Sequence, residues 1–207
     1  MPATGNHSGC RIFRFVMPQF NSYLDKIDLA ALRDYCMEHG QSRSYSKGEC
    51  FVSEGSTGHY FAVVSDGYFK YTITDSDGNI AVGGFAFTGE FVGDFYNSYN
   101  GDQSMVSIIA GNRAEVFMIT FSELKEWCRG NMPDFVLALS GALFRMLYER
   151  YIDSYRKTPK ERYMDFIKAY PDVLQVITLK DLASYLHITP IYLSRLRKEV
   201  HHQIKAV

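Results

Sequence analysis

Glycine is distributed along this chain in a way that few folds accommodate. Twelve of the 16 glycines lie between Gly40 and Gly111, and none follows Gly141. No proline occurs between Pro18 and Pro133. Such a middle section is a succession of short elements joined by tight turns. The turn signals are Lys47-Gly48, Glu54-Gly55, Asp66-Gly67, Asp77-Gly78, Thr88-Gly89, Asn100-Gly101 and Ala110-Gly111, seven to 12 residues apart. That spacing predicts an all-β sandwich or barrel. Between the turns, Tyr60–Ser65, Tyr68–Thr74, Ile80–Phe87, Met105–Ala110 and Ala114–Thr120 are rich in β-branched and aromatic residues and read as strands. Asp77-Gly78 is the expected tight hairpin, because a primed turn needs positive φ at residues that tolerate it.

From Ser122 the pattern turns helical. Phe135, Leu139, Leu143 and Met146, widened by Val136 and Leu147, form the apolar stripe of one helix from about Pro133 to Lys157. A stripe of that length serves either as a dimer seam or as a face packed on the chain's own β-domain.

Three helix starts follow. Thr158-Pro159-Lys160-Glu161 is a capping box with proline at the first helical position. Thr178-Leu179-Lys180-Asp181 and Thr189-Pro190 repeat the signal 11 residues apart. They predict helices Leu179–Leu186 and Pro190–Val200 around a turn at His187-Ile188. Leu182, Ala183 and Leu186 face Ile188, Leu193 and Leu196. The small Ala183 lets the helices cross closely. Tyr192, Ser194, Arg195, Arg197 and Lys198 are left over on the second helix. This is the pattern of a helix-turn-helix, whose second helix enters the DNA major groove.

Charge agrees with that division. The net charge is −1, but residues 1–155 carry 12 basic and 18 acidic residues, and residues 156–207 carry 10 and 5. The tail at +5, beside an acidic body, is expected to serve as a phosphate-binding footprint. A protein coated with positive charge is excluded. No apolar run reaches the length of a membrane span, and the polar start followed by the short, charged segment at 11–16 is not that of a secretory signal. Cys10, Cys36, Cys50 and Cys128 form no CxxC pair, so reduced thiols in a cytoplasmic protein are expected.

A glycine-punctuated β-domain, a long helix and a helix-turn-helix in this order resemble the cyclic-AMP receptor protein/FNR (CRP/FNR) superfamily of bacterial transcription regulators. The resemblance runs from about residue 20 to 200. Tyr45–Gly48, Glu54-Gly55 and Asp66-Gly67 stand at the family's turn glycines, and Gly89–Asp94 is similar to the start of its phosphate-binding cassette. Lys160-Glu161-Arg162 and the stretch Ile177–Lys198 are similar to its DNA-binding region. The resemblance implies an α+β chain with a cyclic-nucleotide-binding-like β-roll (a double-stranded β-helix) at 1–131, a dimerisation helix at 132–157 and a helix-turn-helix domain at 158–207. It implies a dimeric, sequence-specific regulator of transcription and not an enzyme. Double-stranded DNA, a second copy of the chain and RNA polymerase are the implied partners, with no membrane. The implied DNA contacts are Thr189, Pro190, Ile191, Tyr192, Ser194, Arg195, Arg197 and Lys198. Where family members often carry Arg-Glu near the start of the recognition helix, this chain has Pro190-Ile191, so a different operator is expected. Little room is left between that helix and Val207 for the family's terminal hairpin wing.

The cassette departs from the family too. Its Gly-Glu pair for the ribose falls on Gly93-Asp94, and its Arg-Ser pair for the cyclic phosphate on Gln103-Ser104, with about one residue deleted between them. Glutamine hydrogen-bonds a phosphate but does not neutralise it, and Arg113 is not placed to do so. A small-molecule effector other than cyclic AMP, weak cyclic-nucleotide binding, or a structural remnant are the expected states of Gly93, Asp94, Gln103 and Ser104. An iron–sulfur or haem sensor is disfavoured, since only Cys10 lies near the start and His59 stands alone in the strands. A cupin-type β-barrel enzyme would need several histidines converging on a metal, whereas His7, His39, His187, His201 and His202 flank the strands. The remaining alternative is a sensor or protein-interaction module of the same fold without DNA binding.

Overall fold

The computed structural model describes residues 20–24 and 27–205. The sequence readings at His7, Cys10, 11–16 and Val207 lie outside that range, as do the side chains of His201 and His202. Helix α1 (Ala30–His39) leads into eight strands: β1 (Gln41–Tyr45), β2 (Cys50–Val52), β3 (Tyr60–Asp66), β4 (Tyr68–Thr74), β5 (Ile80–Phe87), β6 (Phe91–Val92), β7 (Ser107–Ala110) and β8 (Ala114–Thr120). Helix α2 (Phe95–Asn100) interrupts β6 and β7. The strands form two antiparallel four-stranded sheets in the orders β1-β8-β3-β6 and β2-β7-β4-β5. This is a β-roll, and the expected α+β fold class holds. β4, β5 and β8 have the bounds read from the sequence, whereas β7 starts two residues later than expected.

The turn glycines act by two different means. Gly67, between β3 and β4, has φ 77°. Gly111 has no such φ; a side chain there would run into the ring of Tyr68. The β4–β5 connection is wider than the two-residue hairpin expected at Asp77-Gly78. Thr74 pairs with Ile80, leaving a five-residue loop. Asp75 organises it: its Oδ1 accepts from the backbone N–H of Asp77 (2.9 Å) and of Asn79 (2.8 Å). A carboxylate that binds its own loop two residues on replaces the primed turn.

Three helices lack a clear sequence signal. α1, α2 and α6 (Val173–Val176) are short or weakly periodic. The others are α3 (Phe121–Asn131), α4 (Phe135–Arg156), α5 (Pro159–Ala169), α7 (Leu179–Tyr185) and α8 (Pro190–Lys205). A full capping box starts α3, with Thr120 and Glu123 bonded reciprocally, and another starts α5, with Thr158 and Glu161. Lys157, between α4 and α5, holds Asp153 at 2.6 Å and Asp165 at 2.9 Å. Among the described residues no helix is long and apolar enough to cross a membrane.

Helix α4 carries two stripes. Phe135 and Leu139 are buried, and Leu143 and Val136 pack beside them on Phe61, Phe95 and Phe121 of the roll side. The stripe read from the sequence is therefore the face turned to the chain's own β-roll. A second row, Leu137, Gly141, Phe144, Tyr148, Tyr151 and Tyr155, alternates spacings of four and three and is exposed, Leu137 at 76% and Phe144 at 70%. Phe144 stacks on Tyr148, and Tyr151 meets Tyr155 edge-on. An a/d heptad row is the pattern of a helix seam.

The roll and the C-terminal helices share one core. Tyr68, Val82, Phe85 and Phe87 of the roll cluster with Tyr163, Phe166, Val173, Leu182, Leu186, Leu193 and Leu196. Phe20 is wedged among Phe85, Phe87, Phe166, Tyr170 and Tyr185, with ring centroids 4.8–6.2 Å away.

Candidate nucleic-acid interface and effector cassette

The pair α7–α8 is built from its caps and its turn. Thr178 Oγ1 accepts from the Asp181 N–H at 3.0 Å, and Thr189 Oγ1 accepts from the Tyr192 N–H at 3.2 Å. The turn is a Schellman motif. His187 N–H donates to Ser184 O and Ile188 N–H to Ala183 O. His187 takes the left-handed conformation usually given to glycine, φ 55°. Ala183, Leu193 and Leu196 are buried where the helices cross. Arg162 of α5 closes the end of α7, donating to Leu186 O at 3.2 Å and to Lys157 O at 2.7 Å. Burial, with Arg150 and Arg162 close by, pushes the His187 pKa down, so the neutral ring is favoured.

Exposure divides the expected DNA contacts. Thr189, Pro190, Ile191, Tyr192, Arg195, Arg197 and Lys198 are exposed and Ser194 is half-buried. On a 3.6-residue period, Ile191, Ser194, Arg195 and Lys198 lie opposite the buried row Leu193, Leu196 and Val200. Arg197 stands on one flank of the row, its charge close to Tyr163 of α5. Glu199, on the other flank, pairs with Lys160, also of α5. Arg195 and Lys198 make no ion pair among the described residues.

Helix α7 also meets the roll directly. Asp181 does not return to cap its own helix; its Oδ1 accepts from Lys70 Nζ of β4 at 2.8 Å, with both side chains largely buried. Val82 N–H of β5 donates to Ser184 Oγ at 2.8 Å. Arg150 of α4 donates to Gly83 O at 2.9 Å and lies over the Tyr185 ring, 4.4 Å from its centroid. The sequence carries no signal for these contacts, whose hydrogen bonds join residues 111, 102 and 67 positions apart.

In the cassette, Asp94 and Ser104 meet each other. Ser104 Oγ, 3% exposed, is 2.6 Å from Asp94 Oδ2, which also accepts from Asn97 Nδ2 at 2.9 Å. The Ser104 hydroxyl lies 2.8 Å from Val106 O as well. Gln103 is exposed, its backbone bridged to Thr57. Gly93 donates through its N–H to the Tyr71 hydroxyl at 3.3 Å, and burial pushes the Tyr71 phenol well above its ordinary range. The roll interior behind them is filled by Tyr45, Phe69, Ala86, Val92, Ile108 and their neighbours. Arg113 is exposed beside Glu115, and Lys70 is committed to Asp181. His59 is exposed at the rim. A cleft of ≈ 1030 Å³ separates the roll from α4, bordered by Tyr71, Phe85, Asp94, Leu139, Arg145 and Arg150.

Glu90, within the cassette segment, does other work. Its carboxylate accepts from Asn21 N (2.6 Å), Asn21 Nδ2 (2.7 Å) and Phe87 N (2.9 Å). It thereby anchors the segment that carries Phe20 into the shared core.

Residues 42–131 match the family model of the cyclic nucleotide-binding domain. Among solved structures, the chain is similar to FixK2 from Bradyrhizobium japonicum, at 22% identity over 79% of this chain and 85% of that one, with a TM-score of 0.69. It is similar to the c-di-GMP responsive global regulator CLP of Xanthomonas campestris, at 16% identity, 84% and 92% coverage and a TM-score of 0.58. It is also similar to the catabolite activator protein of Thermus thermophilus, at 17% identity, 87% coverage of both chains and a TM-score of 0.52. No curated protein matches the chain. The expected resemblance stands at the level of domain and fold: residues 42–131 match the domain family, and the chain shares the fold of these solved structures.

Burial raises the Glu90 pKa from the usual 4.5 to about 7. A carboxyl raised on folding adds stability that is fully present below the unfolded pKa and is lost as pH rises through the folded one. Between about pH 5 and pH 8, the urea midpoint of the wild type should therefore fall relative to that of Glu90→Gln. A constant gap between the two proteins over that range would refute the assignment.

Proposed function

We propose that this chain is a dimeric, sequence-specific DNA-binding regulator of transcription, with α8 as its recognition helix and the roll as its effector domain. The observation that carries this reading is the outward row of exposed Ile191, Arg195 and Lys198 with half-buried Ser194, on a capped, tightly crossed helix pair in a basic tail. Its two cations have no carboxylate partners among the described residues and suit phosphates or guanine edges. Thr189, Pro190, Tyr192 and Arg197 flank the row and would set its position on the backbone. The division at 1–131, 132–157 and 158–207 goes with this reading, as does RNA polymerase as a further partner.

The exposed heptad row of α4 supports a parallel two-helix seam between two copies. Two-fold symmetry then places two recognition helices on half-sites roughly 34–36 Å apart. Helix α4 touches both the roll and, through Arg150, the ring of Tyr185 on α7. An effector in the cleft between roll and α4 would act by binding one arrangement of these elements better than the other.

The cassette argues against cyclic AMP as that effector. Gly93, Asp94, Gln103 and Ser104 offer a carboxylate bonded to the serine and no cation. A phosphate placed there would face a negative charge.

Three outcomes are expected. On a selected operator, Arg195→Ala should cost about 1–3 kcal/mol and Lys198→Ala should reduce the salt slope of binding by about one; unchanged affinity and slope in both variants would exclude α8 as the contact surface. Phe144→Asp should convert the dimer to monomers in sedimentation, the side chain being exposed in the single chain; an unaltered dimer would place the seam elsewhere. Calorimetric titration with cyclic AMP should show no tight binding, and submicromolar affinity would overturn the reading of the cassette.

A further inference from the structure

The row that α8 turns outward is unusual in its order. Ile191 is 68% exposed in the first turn, and Ser194, Arg195 and Lys198 follow it at i+3, i+4 and i+7. Every hydrogen-bonding or charged side chain of the row thus sits at least one turn in from the end of the helix. The N-terminal residues of a recognition helix are those that reach base edges.

The first turn has almost nothing with which to hydrogen-bond a base. The Pro190 side chain has no donor or acceptor. Thr189 Oγ1 accepts from the Tyr192 N–H at the N-cap, which leaves its hydroxyl proton as the one donor at this end. Tyr192 lies one residue on from Ile191, about 100° round the helix, on the flank toward Glu199 rather than in the row. Ile191 is left as the side chain presented there, and it is aliphatic. In the major groove the four base pairs differ in donors, in acceptors and in one apolar group, the C5 methyl of thymine. An aliphatic side chain can tell base pairs apart through that methyl and through nothing else.

We propose that Ile191 is a specificity-determining residue that reads the C5 methyl of one thymine in each operator half-site. The proposal rests on α8 being the recognition helix and adds the chemistry of what it recognises. Burying the methyl against Ile191 removes apolar surface of both groups from water. Arg195, one turn further on and on the same side, then meets the adjoining base pairs or their phosphates. A half-site of this kind has a thymine where a carboxylate in the first turn would call for a cytosine, whose N4 amine donates to it.

The test uses the full chain and DNA that it selects from a random-sequence duplex pool. Each thymine of the selected site is then replaced in turn by deoxyuridine, which lacks only the methyl. At one position per half-site the replacement should weaken wild-type binding roughly three- to five-fold. Ile191→Ala should bind the thymine and deoxyuridine duplexes equally. Ile191→Glu, checked for unchanged helix content, should select cytosine at that position. Sequence-specific binding with every deoxyuridine replacement neutral would overturn the role of Ile191 and leave the DNA-binding function standing. Selection of no sequence by the folded protein would overturn both.

Discussion

The aromatic cluster around Phe20 is the contact on which the arrangement of this molecule depends. It joins Phe85 and Phe87 of the roll to Phe166, Tyr170 and Tyr185 of the helices. Offset and edge-on aromatic pairs favour particular geometries beyond the surface they bury. The polar contacts at its border then fix the register. Lys70 with Asp181, Val82 with Ser184 and Arg150 with Gly83 each cross between roll or α4 and the C-terminal helices or β5. The pair Lys70–Asp181 adds little net stability of its own, since ions that lose water gain little from each other, but removing one partner would leave the other charge largely buried and unpaired. Separating the helices from the roll would leave both charges and a broad aromatic surface in need of new partners. Any signal passed from the roll to α8 has to act on this junction.

The four residues Gly93, Asp94, Gln103 and Ser104 satisfy one another and their neighbours without a cation among them. The Ser104 hydroxyl lies 2.6 Å from Asp94, and the Gly93 N–H donates to the Tyr71 hydroxyl. The roll keeps its architecture because its core does not depend on that pocket: Tyr45, Phe69, Val92 and Ile108 are buried irrespective of what Asp94 binds.

Local signals are legible in the residues themselves. The glycine turns, the strands Tyr68–Thr74 and Ala114–Thr120, the capping box at Thr158 and the Thr178 and Thr189 caps all arise from interactions within a few residues. In each of them, side chain and backbone partner are neighbours along the chain. The Asp77-Gly78 pair misleads for a related reason: Asp75, just outside the expected turn, widens the loop with its carboxylate. Helix α4 is the more instructive case. Its aliphatic stripe stands out, while the row with Gly141 and three tyrosines does not, because glycine and tyrosine blur an apolar pattern. Only the packing of Phe135 and Leu139 on the roll shows that the second row is the free one.

Sequence alone determined the β-then-α order, five of the eight strands, the long helix, the helix-turn-helix and the basic tail. Each is set by backbone propensity, capping and charge, which act locally and leave a periodic record. The tertiary structure decided which face of α4 remains open, that Asp181 serves Lys70, that Glu90 holds Asn21, and that Asp94 and Ser104 satisfy each other. Those outcomes depend on which distant groups are brought within about 3 Å of one another. A buried polar group takes whichever partner the fold supplies, and that choice has no trace in the residue itself.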